Sequence, residues 1–387
     1  MTASDPSTRA KWLAKVAKLA PIIAEYRTAL EAERHLPAVL SEALADAGLY
    51  RIWLPRALGG PELSPEDFMA VVEAVSALDA SVGWVVGNGG GMSRAGGYLP
   101  EAAARAIFAD PRAFIVSSTG AVGDAVPVAG GYQLSGRWPF GSGIHAATHA
   151  SVLCRIADGR PDNAPQAQLL CYLSMENVEI IDNWHVSGLR GTGSCDFVLP
   201  NLHVPADYCH PFPNISATQP GILYRLPGLT AFTWTVATVP LGIARGAMEA
   251  FAALAARKGR SGSASVLNQR ETVQQEVGRL HNAHGAGRAW LLQTMTAVME
   301  AVEADDGRLA RARLDFRLAC IHAAETACRI VESLAALAGT AALLETGSLE
   351  RYLRDVHAAS RHRAMSPEIY AVSGRMALGV ELGTDRF

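Results

Sequence analysis

The hydrophobic period of this 387-residue chain changes twice, and those two changes constrain the fold more than any single motif. Up to about residue 112, apolar residues recur at three- and four-residue spacings. Trp12, Val16, Leu19, Ile22, Ile23 and Tyr26 form one such helical stripe. Residues 36–49 continue it and stop at Gly48, a plausible helix end. Ser64 before Pro65 reads as an N-cap followed by a first-turn proline. That helix carries Met69, Val72, Val75 and Leu78. Asp79 can cap the next one, which carries Trp84. From about Phe114 the period becomes two. Residues 114–118, 132–140, 150–156, 168–173 and 178–181 read as strands separated by Gly, Pro, Asn and Asp clusters. A polar loop covers 158–165, and 184–205 is strand and turn. From about Leu229 the chain is helical again. The stretches 236–256, 269–302, 309–338 and 349–361 are alanine-rich, which lets helices pack closely in a bundle. The expected fold class is α+β, in three parts: an N-terminal helical domain (1–112), a central β domain (113–215) and a C-terminal helix bundle (216–387).

Within the β part, residues 130–143 are the most informative. Gly130-Gly131 marks a turn, and Tyr132 and Leu134 alternate with Gln133 and Ser135. Pro139 has no N–H to give a ladder, so this strand lies at an edge, bulges or ends there. Trp138 and Phe140 flank it, and Gly141-Ser142-Gly143 leaves backbone amides nearly bare around one hydroxyl. Two readings stand open: a hairpin with core aromatics, or a wall for a flat heteroaromatic ring.

Charge excludes some functions. Charged residues make up only 18 % of the chain, the net charge is −3, and no basic stripe exists. That leaves no electrostatic footprint for nucleic acid or an anionic membrane. No apolar signal core and no run of eighteen unbroken apolar residues is present, so a soluble, cytoplasmic chain is expected. Six cysteines without a Cys-x-x-Cys pair read as free thiols in a reducing compartment. His281 and His284 have metal-like spacing but no evident third ligand, so they read as helix-surface residues and no metal site is expected. The glycine run 87–91 does not match the dinucleotide fingerprint. It reads as close helix packing or backbone approach to a ligand, with room for a bulky one.

Several strings resemble the acyl-CoA dehydrogenase superfamily. Leu36-Pro37, the run 44–49, Pro55 and Leu58-Gly59-Gly60 look like its N-terminal helices and loop. Trp184-His-Val-Ser-Gly-Leu-Arg-Gly-Thr-Gly-Ser194, with Asp196 and Val204-Pro205, looks like its β-domain signature. Arg354-Asp355 matches its last helix. The resemblance implies an N-terminal helical domain, a central β-barrel-like domain and a C-terminal four-helix bundle. Many dehydrogenases of the family carry a catalytic glutamate nine residues after that arginine; here the position is Arg363, and a guanidinium is no general base at neutral pH. The segment 360–365 is instead similar to the flavin-dependent monooxygenases of two-component systems, which place a histidine there, matched by His362. Several related hydroxylases also carry a histidine near Met92; this chain has none.

What the resemblance implies is specific. Trp138 and Phe140 would wall the isoalloxazine, with Gly141 beside them, and Trp84 would close the other side. Ser142 would bond near the flavin's reactive edge, and Ser118 and Thr119 would meet the ring edge. His362 would exchange protons, with an ordinary pKa near 6.5 suited to that task. Arg257 would bind flavin phosphate, although the run Arg257-Lys-Gly-Arg260 lacks the family's phenylalanine. Gly339 and Thr340 match the family's glycine turn, and Arg363 would join the flavin-binding residues. The implied function is a reduced-flavin-dependent monooxygenase. It would insert one oxygen atom from O₂, through a flavin C4a-hydroperoxide, into a phenolic or polycyclic aromatic or an amine. The implied cofactor is reduced FMN, with FAD as the alternative. The implied partners are a small-molecule substrate and a separate NAD(P)H:flavin reductase, and the implied assembly is a homotetramer. Two other readings remain: an acyl-CoA dehydrogenase or oxidase with a relocated base, and a non-catalytic binding protein on the same fold.

Overall fold

A computed structural model describes residues 6–157, 167–213, 216–259 and 265–384. The polar loop 158–165 and Arg260 lie outside them. The chain packs into two compact units. The first is Met1–Phe68, Trp84–Val186 and Arg190–Thr235; the second is Met69–Gly83, Ser187–Leu189 and Val236–Phe387.

Helices Pro6–Glu25, Arg27–Glu33 and Ala38–Asp46 open the first unit, and Gly48, at φ 82°, ends the helical stripe as its left-handed preference allows. Both expected caps form: the Asp67 N–H donates to Ser64 Oγ at 3.1 Å, and those of Ser81 and Val82 donate to Asp79 Oδ1 at 3.0 and 3.2 Å. They start helices Pro65–Leu78 and Ala80–Met92. The glycine run in the second of these is packing, not spare room. A Cβ on Gly89 would fall 2.6 Å from the Phe114 ring, and one on Gly91 2.2 Å from Thr235. Neighbouring groups fill the space that side chains on these glycines would use.

The sheet of the first unit has seven strands: β1 (Ile115–Val128), β2 (Gly131–Gly141), β3 (His149–Ile156), β4 (Gln168–Ser174), β5 (Glu179–Ile181), β6 (Cys195–Pro205) and β7 (Cys209–Phe212). Their order is β5-β6-β2-β1-β3-β4-β7, with β1 and β3 parallel and the other pairs antiparallel. β2 is therefore interior, and Pro139 is tolerated through a bulge: the β2–β6 register shifts between Trp138 and Gly141. One sheet face buries Val116, Leu134, Trp138, Val152, Cys171, Phe197 and Leu199. The opposite face offers Ile115, Leu153, Leu170 and Tyr172 to Leu54, Leu58, Met92, Leu99 and Ile107 of the helices. Strand alternation produces this division.

In the second unit, helices Val239–Ala255, Glu271–Ala304, Leu309–Ala338 and Ser348–Ser360 form the expected bundle. A Cβ on Gly246 would meet the Ala77 carbonyl oxygen at 2.3 Å, so the small residue is what permits that approach. A further helix, Glu368–Ala377, packs Ile369 and Val372 against Leu314 and Ile321. His284 is not a surface residue: it is buried, and its Nε2 lies 3.0 Å from the Leu241 carbonyl oxygen. His281 is exposed. All six cysteines are unpaired thiols.

Candidate active site

In the first unit, the helix Ala80–Met92 brings Trp84 to the turn after β2. The Trp84 indole N–H donates to Ser142 Oγ at 3.1 Å. Ser142 Oγ lies 2.8 Å from Ser194 Oγ, which lies 2.7 Å from Thr192 Oγ1. Because an indole N–H only donates, Ser142 accepts there. The three hydroxyls thus form one hydrogen-bonded row with the indole at its head. Gly143, at φ 81°, shapes the turn, and its N–H donates to the Thr192 carbonyl at 2.7 Å. Thr192 and Ser194 sit inside the signature string 184–194, but only the folded turn shows that they extend Ser142.

The two aromatics flanking Pro139 part company. Trp138 is fully buried, its ring stacked on Phe197 at 5.8 Å between centroids, and its N–H donates to the Leu153 carbonyl at 2.9 Å. A Cβ on Gly123 would come within 2.2 Å of it. Trp138 is thus a core residue, and the ring wall expected of it is corrected. Phe140 is the opposite: 63 % exposed, at φ 62°, with its ring perpendicular to Trp184 at 6.3 Å. The bulge at Pro139 turns it outward. Left-handed backbone is unusual for a bulky residue. Gly141 beside it is buried, and a Cβ there would fall 3.0 Å from Ile144. Ser118 donates its hydroxyl to the Pro139 carbonyl at 2.6 Å, so it pins the bulge, and its expected contact with a ring edge is corrected. Thr119, on the other face of β1, lines a cavity instead.

That cavity measures about 70 Å³ and is walled by Met92, Leu170, Phe212, Leu229 and Phe232. Arg94, Tyr98, Tyr172 and His210 supply polar groups, beside the hydroxyls of Ser117, Thr119 and Thr235. His210 Nδ1 lies 2.9 Å from the Pro211 carbonyl, which can only accept. The proton is therefore on Nδ1, Nε2 accepts, and the Tyr172 hydroxyl donates to it across 3.1 Å. Burial, opposed in part by that carbonyl, lowers the His210 pKa to about 4. Sequence reasoning stopped at Met92 and missed this group; an arginine two residues beyond a glycine-rich apolar run was the available signal.

In the second unit, His362 precedes a short turn, Arg363–Met365, and its Nδ1 accepts from the Ala364 N–H at 3.1 Å. Neutral His362 therefore carries its proton on Nε2. Burial, reinforced by the Arg317 charge, pushes its pKa down to about 4. The ordinary pKa expected for it is corrected: at neutral pH it is a hydrogen-bond donor rather than a group poised to exchange protons. Buried Arg317 holds the segment by donating to the Arg363 carbonyl at 3.0 Å and the Ala364 carbonyl at 3.2 Å. The Arg363 side chain itself is exposed. Arg257 is exposed and its Nε donates to the Ala253 carbonyl at 3.2 Å. Gly339, at φ 59°, and Thr340 are exposed where the helix Leu309–Ala338 ends, with open space around Gly339. The Arg354-Asp355 pair is structural: Arg354 donates to the Ser187 carbonyl at 2.5 Å, and buried Asp355 accepts the Leu189 N–H at 2.7 Å.

Comparison with known proteins places the family. Residues 8–96 match the acyl-CoA dehydrogenase N-terminal domain and residues 234–367 the acyl-CoA dehydrogenase C-terminal domain. The chain is 27 % identical to the indole-3-acetate monooxygenase of Acinetobacter baumannii, over 88 % of this chain and 87 % of that one. It is 29 % identical to the oxygenase component of the FADH2-dependent resorcinol hydroxylase of a Rhizobium species, over 95 % and 94 %. The structure of XiaF from a Streptomyces species, in complex with FADH2 and glycerol, superposes with a TM-score of 0.89 at 26 % identity, over 98 % and 97 %. The chain belongs to the acyl-CoA dehydrogenase superfamily, on its flavin-dependent monooxygenase branch.

Proposed function

We propose that the chain is the oxygenase component of a two-component system, taking reduced flavin from a separate reductase and inserting one atom of O₂ into an aromatic substrate. One observation carries this: no carboxylate stands where a thioester dehydrogenase needs its base. Arg363 occupies that position, and none of the described residues lining the cavity is acidic. Abstracting a proton α to a thioester requires a base, which neither an arginine nor a histidine titrating at about 4 supplies well at neutral pH. The relatives are named for oxygenation of indole-3-acetate and resorcinol, which supports an aromatic substrate here.

The residues fit a flavin. Phe140 is 63 % exposed, and a Cβ on Gly120 would stand in ordinary contact with Pro139 and Phe140 at 3.4 and 3.9 Å. The hydroxyls of Ser142, Ser194 and Thr192 form a hydrogen-bonded row beside Trp84. In the second unit, taken by itself, the exposed Arg257 guanidinium has the chemistry that binds a phosphate. Reduced flavin, when bound, would supply the two electrons that activate O₂, the source of the inserted oxygen. The chain's part is to bind the ring, keep water away with the apolar residues around Ser142, and hold His362 as a fixed N–H donor. Reduced FMN is the expected form; FADH2, bound in XiaF, is the alternative.

The second unit also presents apolar surface. Leu343 and Leu344 are 74 and 58 % exposed, and only 39 % of the most apolar window of the helix Leu309–Ala338 and the turn after it is buried. A second copy of the chain would cover such a face, and we take the assembly to be a homotetramer. Light scattering tests this against the 40.9 kDa chain mass. Anaerobic titration tests the function: reduced FMN or FADH2 binds more tightly than its oxidised form. Tight oxidised FAD, bleached by an acyl-CoA, would establish a dehydrogenase instead.

A further inference from the structure

The cavity of the first unit contains a charge with no counter-charge. Arg94 is 7 % exposed, and its Nε finds no hydrogen-bond partner. Its Nη2 donates to the Tyr98 hydroxyl and to the Leu226 carbonyl, the latter at 3.2 Å, and the guanidinium lies 5.0 Å from the Tyr98 ring centre. All of these partners are neutral. Among the described residues, no aspartate or glutamate lies within ion-pair distance of Arg94. Burial lowers its pKa to about 10, which leaves it cationic at neutral pH. A buried cation without a carboxylate is expensive, and proteins seldom keep one without a use.

The surrounding groups add to the case. Tyr98 accepts from Arg94, so its own hydroxyl proton remains to be given. Tyr172 spends its proton on neutral His210, so neither supplies a second positive charge. The cavity therefore offers one cation, the Tyr98 hydroxyl and the hydroxyls of Ser117 and Thr119, among the apolar side chains of Met92, Leu170, Phe212 and Phe232.

We propose that this cavity binds the substrate as an aromatic carboxylate, with the Arg94 guanidinium as its counter-charge and the Tyr98 hydroxyl as a second donor. This rests on the reading of the chain as an aromatic monooxygenase and narrows its substrate to small aromatic acids. The cavity is about 70 Å³, roughly half the ~150 Å³ that holds benzene in an engineered protein cavity, so it favours one ring over several. A ring enters only as the apolar walls shift, and a polycyclic one would need far more. Gly91 lines the cavity, with Thr235 filling the place of a side chain there.

The test is equilibrium binding to the protein without flavin, by calorimetry. The probes are phenylacetate, 4-hydroxyphenylacetate and indole-3-acetate, each against its neutral amide. The acids bind at least about tenfold more tightly than the amides, as a charge-assisted bond in a buried site requires. Arg94→Gln brings the ratio towards one, Arg94→Lys retains part of it, and Tyr98→Phe weakens the acids alone. Arg94→Met raises the melting temperature of the ligand-free protein, because it removes an unpaired buried charge; a purely structural arginine would lower it. Equal binding of acids and amides, or no binding of any of the three acids, overturns the proposal, and both measurements use the wild-type protein. Reduced-flavin binding is measured separately. Acid binding without reduced-flavin binding would refute the monooxygenase reading and leave the carboxylate site standing.

Discussion

Acidification should destabilise this protein through His362, and the size of the effect follows from the structure. In the folded chain its pKa is about 4, against roughly 6.5 in an unfolded chain. A histidine depressed on folding stabilises the protein fully above pH ~6.5, and that contribution disappears as pH falls through 4. The difference of about 2.5 units, at about 1.4 kcal/mol per unit, is on the order of 3 kcal/mol. His210, also lowered to about 4, adds a second contribution of the same sign. His362→Asn isolates the first, because an asparagine oxygen can still accept the Ala364 N–H without titrating. Urea unfolding at pH 7, 6, 5 and 4 should show wild type losing its stability relative to the variant by about that amount across the range. Histidine ring chemical shifts report the pKa directly. Arg317→Met should raise it, yet leave it below 6.5, since burial is the larger cause and the Arg317 charge the smaller. A His362 that titrates near 6.5, or a variant with the same pH dependence as wild type, would refute the reasoning.

Three substitutions probe other parts of the account. Gly123→Ala drives a methyl into Trp138 at 2.2 Å and should cost about 1–3 kcal/mol in denaturant unfolding. Phe140→Ala, at a 63 % exposed position, should leave stability within about 0.5 kcal/mol while weakening reduced-flavin binding, read by anaerobic titration. Ser142→Ala removes the acceptor of the Trp84 indole and a partner of Ser194; about 1–3 kcal/mol of stability should be lost, measured by thermal and urea unfolding.

The order of helices, sheet and bundle was legible because each part keeps one hydrophobic period over many residues. What the period could not show was depth. Trp138 and Phe140 stand two apart in an alternating strand and look equivalent, yet the bulge at Pro139 turns one inward and the other out. Strings that carried chemistry pointed to Ser142 and Trp84, which the fold brings within hydrogen-bond distance of each other. The site was not legible where chemistry arises from pairing across the fold. Ser118 looked available until the Pro139 carbonyl took its proton. The glycine run near Met92 suggested room because sequence does not show that Phe114, Tyr50 and Thr235 fill it. The final helix, Glu368–Ala377, and the strand Cys209–Phe212 were missed because both are short and gain their order from tertiary packing. The charge state of His362 depends on Arg317, 45 residues earlier, and on burial, neither of which a motif records.

The central claim is oxygen insertion by a reduced-flavin enzyme, and isotopic oxygen tests it most directly. The protein is mixed anaerobically with chemically reduced FMN, and in parallel with FADH2, in the presence of an aromatic acid. It is then exposed to ¹⁸O₂ and the products are analysed by mass spectrometry. The account predicts a hydroxylated aromatic carrying one ¹⁸O atom per molecule, formed only when protein and reduced flavin are both present. Full recovery of the reducing equivalents as hydrogen peroxide with every aromatic tested, together with reduction of the oxidised FAD-loaded protein by an acyl-CoA, would contradict it.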